Sequence, residues 1–175
     1  MNLRNPTPIT LAVLAATLVV ACERTEHSVP TLEGAWRAVS IRVTGPDSAA
    51  DQMAQPSLFL CGETHYSMMR VTGNQPRALA AKDSVTDAEK LAAYDSFIAN
   101  SGTYEVADST LTIHPVVARS PNFMAGGSDK YHFSVRGDTL WLSNTGADFR
   151  TKLGGQLVTP PGPRSATMLV LVRQE

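Results

Sequence analysis

Tyr66, Met68 and Arg70 alternate along one short apolar segment and form a candidate binding site. Alternate residues of a β-strand share one face, so these three side chains would lie together on one side of a sheet. Facing inward, they supply a phenol, an adaptable thioether and a fixed positive charge, which suits an apolar ligand with an acidic or carbonyl head. With the opposite parity, Arg70 is a surface charge and Met69 is part of the core. The sequence leaves both arrangements open.

Catalytic chemistry has few candidates in this sequence. It contains no Cys-x-x-Cys, His-x-x-x-His, Gly-x-Ser-x-Gly or phosphate-binding glycine loop, so metal hydrolysis, serine hydrolysis and nucleotide chemistry lack their usual residues. Strand parity places His114 and His132 on the solvent side. His65 starts a predicted strand, where a solvent-facing position competes with a ligand or catalytic role. We therefore expect no catalytic residue, no metal and no cofactor.

Residues 19–22, Val-Val-Ala-Cys, end a hydrophobic leader with a small residue and a cysteine. Arg4 gives the leader a positive start, and Ala21 is the small residue that a signal peptidase needs before its cut. The pattern resembles the lipobox of bacterial lipoproteins. That resemblance implies a diacylglyceryl group on the Cys22 sulfur, cleavage before Cys22 and acylation of the new amino terminus by a fatty acid such as palmitate. An ordinary secreted leader or an uncleaved anchor helix are the alternatives.

The chain divides into a signal peptide (1–21), a polar tether (22–31) and one domain (32–175). The formal net charge is −1 and no basic stripe is present, so binding to nucleic acid is not expected. Because a lipidated Cys22 cannot form a disulfide, Cys61 has no cysteine partner and is expected to be a buried, unreactive thiol.

Two consecutive hairpins dominate the strand pattern. Residues 103–106 and 110–113 flank a turn at 108–109, which pairs Val106 with Leu111 and Tyr104 with Ile113. A second turn at 137–138 joins strands 131–135 and 140–142, and its alternation predicts an antiparallel sheet with one buried face. Further strands are predicted at 35–43, 57–61, 66–71 and 167–173, which makes eight, with a partial strand at 153–157. The segments 45–55, 73–83, 120–130 and 159–164 are predicted loops.

One helix is predicted in mid-chain. Thr86 and Glu89 have the spacing of a capping box, and Leu91, Tyr94 and Ile98 follow on one helical stripe. The helix would act either as a lid or plug beside the sheet or as an element packed outside it, and periodicity does not separate the two.

Eight sequential antiparallel strands favour an up-and-down barrel or a sandwich, and a barrel of this size can hold one small ligand. Gly34 and Trp36 at the start of the first strand resemble the Gly-x-Trp signature of lipocalins, and Arg173 is placed like the arginine that packs on that tryptophan. The Gly-Thr-Tyr-Glu-Val run at 102–106 resembles bacterial lipocalin-like domains. The resemblance covers residues 32–174 and implies an all-β, eight-stranded antiparallel lipocalin-like barrel. It departs from typical lipocalins in that the short helix is inserted mid-chain.

We expect a membrane-anchored lipoprotein that binds a small, mostly apolar ligand inside the barrel. Its predicted ligand-binding residues are Tyr66, Met68, Arg70, Tyr104, Ile113, Tyr131, Phe133 and Leu142. If these side chains instead fill the barrel, the protein is an interaction module with a partner in the cell envelope. An isomerase or cyclase type of enzyme is the third alternative. Glu23 does not match the aspartate that retains lipoproteins at the inner membrane of enteric bacteria, so we expect outer-membrane attachment facing the periplasm.

Overall fold

The computed structural model of this protein describes residues 31–46, 48–51, 54–73, 75–77 and 85–174. The predicted leader, the lipidation site Cys22 and nearly all of the tether lie outside the described residues. Lipidation and the division of the chain at residues 21 and 31 therefore stay predictions.

Strands make up most of the described chain, with short helical segments between them. The elements are β1 (Gly34–Thr44), β2 (Ala49–Asp51), β3 (Ser57–Cys61), β4 (His65–Val71), α1 (Asp87–Asp95), β5 (Phe97–Ala107), β6 (Thr110–Ala118), α2 (Pro121–Met124), β7 (Asp129–Arg136), β8 (Thr139–Asn144), β9 (Thr151–Leu153), β10 (Gln156–Val158) and β11 (Ala166–Gln174).

The main sheet closes on itself. Its strands follow the order β11-β8-β7-β6-β5-β4-β3-β1-β2, and β11 also pairs with β1, so every strand except β2 belongs to a closed antiparallel barrel. Closure pairs the backbone groups that an open sheet would leave exposed at its edges. The predicted all-β, eight-stranded up-and-down barrel is confirmed, and its strands are the eight that the sequence predicts.

The register of both hairpins is also confirmed. Val106 lies opposite Leu111 and Tyr104 opposite Ile113, and the second hairpin pairs strands β7 and β8 around Gly137. Asp108 has a φ of 53° and Gly137 a φ of 54°, the left-handed backbone that tight hairpin turns require. Turn chemistry therefore sets which residues of these strands face the interior.

The helix prediction is right at its start and wrong at its end. Thr86 and Glu89 form the predicted capping box, in which the Glu89 backbone N–H donates to Thr86 Oγ1 over 3.3 Å. However, α1 ends at Asp95 and Ile98 belongs to β5, because pairing with β4 begins at Phe97. Within the described chain α1 buries none of its residues, so it packs outside the barrel and is not a plug.

Two predicted loops contain short elements that the sequence pattern did not reveal. Strand β2 lies within 45–55 and pairs with β1, while α2 and the start of β7 lie within 120–130. The predicted partial strand at 153–157 is instead a small hairpin of β9 and β10, because Gly154 and Gly155 form its turn with φ values of 56° and 84°.

One end of the barrel, which we call the closed end, is sealed by Leu32, Trp36 and Arg173. The buried Trp36 indole donates from Nε1 to the Leu32 carbonyl over 2.8 Å, and the Arg173 guanidinium lies 4.1 Å from its ring centroid. The predicted packing of Arg173 on Trp36 is confirmed. Gly34 leaves room for the Arg173 guanidinium, because a Cβ at this position would lie only 2.4 Å from Arg173 Nη1.

Candidate functional site

The opposite end of the barrel contains a cavity of about 290 Å³ between the ends of β4, β5, β7, β8 and β11. A second cavity of about 240 Å³ adjoins it, and the two share Ile98, Asn100, Asp129, Tyr131 and Phe149 in their walls. We call this combined space the open-end cavity. Its remaining walls include Met68, Arg70, Phe123, Asn144, Thr167 and Leu169.

Strand parity positions most of the polar side chains of the cavity. Met68 lies opposite Asn100 in the register of β4 and β5, so both face the barrel interior. Asp129 and Tyr131 alternate on β7 in the same way, and Asn144 ends β8. Four polar side chains, those of Asn100, Asp129, Tyr131 and Asn144, therefore converge on one space, as expected for a specific binding pocket.

Asp129 is the most strongly perturbed carboxyl group of the cavity. Its side chain accepts a hydrogen bond on Oδ1 from the Lys130 backbone N–H (2.9 Å) and one on Oδ2 from Asn144 Nδ2 (2.8 Å). Burial raises the pKa of Asp129 from 3.8 to about 6, and hydrogen bonds from Tyr131, Lys130 and Asn144 offset part of that effect. Asp129 is therefore ionised at neutral pH and can take up a proton in mildly acidic conditions.

Two buried polar atoms facing the interior lack a hydrogen-bond partner among the described residues. They are the Oδ1 atom of Asn100, whose residue is 9% exposed, and the hydroxyl of Tyr66, whose residue is 2% exposed. Burial raises the pKa of Tyr66, and the negative charge of Asp129 raises it further. Buried polar groups in native proteins are almost always hydrogen-bonded, so these two atoms are exceptions among the described residues.

Aromatic side chains form the apolar wall of the cavity. The rings of Phe123 and Phe149 lie 5.0 Å apart at an interplanar angle of 33°. Helix α2 carries Phe123 inward from the segment between β6 and β7, with Pro121 at its first turn. The cavity therefore joins a polar floor to an apolar, partly aromatic wall.

The sequence matches a family model described as a lipocalin-like domain over residues 33–157, most of the chain. The chain belongs to the lipocalin-like domain family. Among solved structures, an uncharacterized protein from Bacteroides eggerthii aligns with 10% sequence identity over 81% of this chain and 98% of that chain, at a TM-score of 0.39. No curated protein gives a significant match.

The lipocalin-like barrel adopts the inward arrangement of Tyr66, Met68 and Arg70. Met68 and Arg70 line the open-end cavity together with Tyr131, and Tyr66 lies deeper on the same face of β4. Arg70 also has an interaction with another residue. The cavity thus gathers part of the predicted set, and the role of these residues in ligand binding stays a prediction.

The other predicted residues lie elsewhere in the barrel. Ile113 and Leu142 are fully buried in the packed core, and Phe133 is half-buried against it. Tyr104 faces the closed end, where its hydroxyl donates to the Gly62 carbonyl over 2.5 Å. Side chains therefore fill the closed half of the barrel, while the other half is hollow. The sequence left open whether the barrel is filled or hollow, and each description fits one half.

Sequence reasoning missed Asn100, Asp129 and Asn144. Asp129 precedes Tyr131 and Phe133 by one step of the predicted alternation, and Asn144 follows Leu142 by one step. These two were missed because polar residues at the ends of strands resemble the start of a loop. Asn100 lies two steps before Tyr104, in a part of β5 that the predicted strand at 103–106 did not include.

The remaining chemistry-bearing residues of the described chain form no candidate metal site. Within the described ranges no group of three or more His, Cys, Asp or Glu side chains could hold a metal ion. Cys61 is buried, and burial raises the pKa of its thiol to about 12. Among the helices described, none is long and apolar enough to cross a membrane.

Proposed function

We propose that this protein is a lipoprotein of the bacterial cell envelope whose lipocalin-like barrel binds a small molecule in the open-end cavity. The observation that carries the proposal is the hollow end of the barrel, a cavity of about 290 Å³ lined by the polar side chains of Asn100, Asp129, Tyr131 and Asn144.

The dimensions of the cavity favour a small ligand with two different ends. Its volume of about 290 Å³ is at the lower limit of typical small-molecule pockets, and the adjoining space extends it toward Phe123 and Phe149. The predicted ligand was mostly apolar. The polar floor at Asn100 and Asp129 supports an amphipathic molecule instead, with its polar head inside and its apolar body against the aromatic wall.

The first described residues of the domain and the cavity lie at opposite ends of the barrel. Arg173 donates from Nη1 to the Glu33 carbonyl (2.6 Å) and from Nη2 to the Thr31 carbonyl (3.1 Å), which holds the start of the domain at the closed end. Cys22 precedes Thr31 by nine residues. A lipid on Cys22 would therefore attach the closed end to the membrane, and a barrel on the outer membrane would accept its ligand from the periplasm.

Lipidation is tested by metabolic labelling of the full chain with radioactive palmitate in a bacterial host. We expect label and membrane association in the unaltered protein and neither in Cys22→Ser, because the thioether needs the Cys22 sulfur. Cys61→Ser is the matched control and should keep both. Equal labelling of Cys22→Ser would contradict the anchor.

Ligand binding is tested by native mass spectrometry of the full chain, purified gently from the envelope of its own host. We expect a reproducible adduct of small-molecule mass that is lost on denaturation. Asn100→Leu keeps the side-chain size but removes a polar amide from the cavity wall, so it should carry less of the adduct. His132→Gln, on the exposed outer face, is the control and should carry the same amount. A mass without any adduct for the unaltered protein would count against a bound ligand.

A second candidate function is proton transfer on the bound molecule, as in an isomerase or cyclase. It is favoured by Asp129, because a carboxyl group whose pKa is raised to about 6 can exchange protons near neutral pH. The small molecule that is released from the protein is incubated with the protein again in heavy water. Deuterium incorporation that disappears in Asp129→Asn would support catalysis, and incorporation at the same rate without protein would refute it.

A further inference from the structure

Four neighbouring strands of the barrel, β7, β8, β11 and β1, form a surface on their outward side with an apolar centre. Leu142 and Leu169 face the interior of the barrel, so the alternating residues Trp141 and Met168 point outward. Trp141 lies opposite Val170, and Met168, in the next outward row, is 51% exposed. We call the outward side of these four strands the side face.

Basic side chains flank the apolar centre of the side face on both sides. They are Arg37 and Arg42 on β1 and Lys130 and Arg136 on β7, and all four are exposed. Arg42 lies directly opposite Met168. Within the described chain none of the four forms an ion pair. The side face is therefore positive, although the formal net charge of the chain is −1.

Carboxylates do not offset this charge. The four strands and the turn at 137–138 contain Asp129 and Asp138 as their acidic residues. Asp129 lines the open-end cavity inside the barrel, and Asp138 Oδ1 lies 3.6 Å from Arg173 Nε at the closed end. The cations of the side face can therefore bind an anionic partner.

We propose that the side face docks on the surface of an anionic phospholipid bilayer. Its arginine and lysine side chains bind lipid phosphates, while Trp141 and Met168 enter the boundary between headgroups and acyl chains. This contact acts in addition to the proposed lipid anchor and does not involve the cavity.

The spacing of the cations favours an extended partner over a compact anion. Strands β7 and β1 are separated by β8 and β11, so their side chains lie about 14 Å apart along the sheet. Arg37 and Arg42 are five residues apart on one strand, or about 15 Å. A single phosphate or carboxylate cannot contact cations at such distances, whereas a plane of lipid phosphates can.

The apolar centre favours a membrane over other extended anions. A surface that binds the phosphate backbone of a nucleic acid places its cations along the whole contact. Here tryptophan and aliphatic side chains occupy the middle and cations surround them, which is the composition of a surface that enters a membrane interface.

The proposed anchor allows the barrel to lie on its side. Cys22 precedes Thr31 by nine residues, and an extended chain of that length spans about 30 Å. A lipid on Cys22 therefore does not restrict contact with the membrane to the closed end.

The test measures whether membrane lipids quench the fluorescence of Trp141. The full chain is reconstituted into vesicles whose acyl chains carry bromine as the quencher, made of phosphatidylcholine with or without phosphatidylglycerol. Trp36, at 0% exposed, is shielded inside the barrel, and Trp141→Phe gives its emission for subtraction. We expect Trp141 to be quenched at least about twofold more in the anionic vesicles, since each cation near an anionic surface adds to the attraction.

Charge variants show whether the side face itself makes the contact. Arg37→Gln combined with Arg136→Gln removes one cation from each flank and should lower the quenching to its value in phosphatidylcholine alone. Lys90→Gln combined with Lys152→Gln removes the same charge from exposed positions on α1 and β9, so it is the matched control and should keep the quenching. Equal losses in both double variants would mean that only the overall charge matters, and would refute the side face.

Two further outcomes would overturn the proposal. One is equal quenching in both kinds of vesicle or none in either, since Trp141 would then not meet an anionic bilayer. The other is capture of an acidic envelope protein by a photo-crosslinking residue at position 168 while Trp141 stays unquenched. The side face would then bind a protein, and the assignment to lipid would be wrong.

Discussion

Asp129 should make the stability of the barrel depend on pH in an unusual direction. Burial raises the pKa of this carboxyl group from 3.8 to about 6, so between these values the folded chain holds a proton that the unfolded chain has released. The free energy of unfolding therefore falls as the pH rises through this window. The stabilisation from the protonated group is complete below the unfolded pKa and is lost above the folded one.

The magnitude follows from the difference between the two pKa values. Each factor of ten in proton affinity is worth about 1.4 kcal/mol, so the Asp129 contribution changes by roughly 3 kcal/mol across the whole window. Most of this change lies between about pH 4 and pH 7. Asp129 is 6% exposed, so solvent screening reduces the value little.

The assay is urea unfolding of the full chain and of Asp129→Asn at several pH values across this window. The variant has no charge to bury, and its amide can pair with Asn144 by rotation of either side chain. We expect the variant to gain roughly 3 kcal/mol relative to the unaltered protein as the pH rises, since all other groups cancel in the difference.

Asp95→Asn is the control, because Asp95 is an exposed aspartate outside the cavity. Its stability curve should run parallel to that of the unaltered protein at every pH. If the Asp129→Asn curve is also parallel, then Asp129 is an ordinary hydrated carboxylate and the account of the cavity floor is wrong.

Three further predictions concern single side chains. Tyr66→Phe should raise the free energy of unfolding by about 1 kcal/mol, because it removes a buried hydroxyl without a partner among the described residues; a loss of stability in urea unfolding would show that the hydroxyl is hydrogen-bonded. Gly102→Ala should cost about 3 kcal/mol or prevent folding, since its Cβ would lie 2.0 Å from a backbone carbonyl oxygen, whereas Gly62→Ala, at 3.8 Å, should change stability by less than about 0.5 kcal/mol. Cys61, with its thiol pKa raised to about 12 by burial, should react with iodoacetamide only at urea concentrations that unfold the barrel, as peptide mass spectrometry would show; rapid labelling of the native protein would contradict this.

Features set by neighbours in the chain could be predicted from the sequence. The pairing of Val106 with Leu111 follows from the turn at 108–109, and the capping box of α1 follows from the spacing of Thr86 and Glu89. The signature of Gly34, Trp36 and Arg173 pointed to a contact between the first and last strands, which the barrel makes. In each case a short pattern or a family resemblance carries the information.

The end of α1 could not be predicted from helical spacing. Ile98 continues the stripe of Leu91 and Tyr94, but its backbone pairs with Arg70 in the sheet. A strand that completes a closed barrel gains hydrogen bonds along both sides, and this long-range gain outweighs local helical periodicity. Leu91, at 61% exposed, shows that the predicted apolar face of the helix was never buried.

The sequence by itself determined the strands and the hairpin registers, because alternation and turn chemistry act over a few residues. These patterns left a barrel and a sandwich open, and the resemblance to lipocalins favoured the barrel. Only the tertiary structure decided which half of the barrel is hollow. Large side chains such as Trp36, Leu111 and Leu140 fill the closed half, whereas Asn100, Asp129 and Asn144 meet at the open end from three different strands. That meeting depends on how the strands are staggered around the closed barrel, a property of the whole sheet that no local segment encodes.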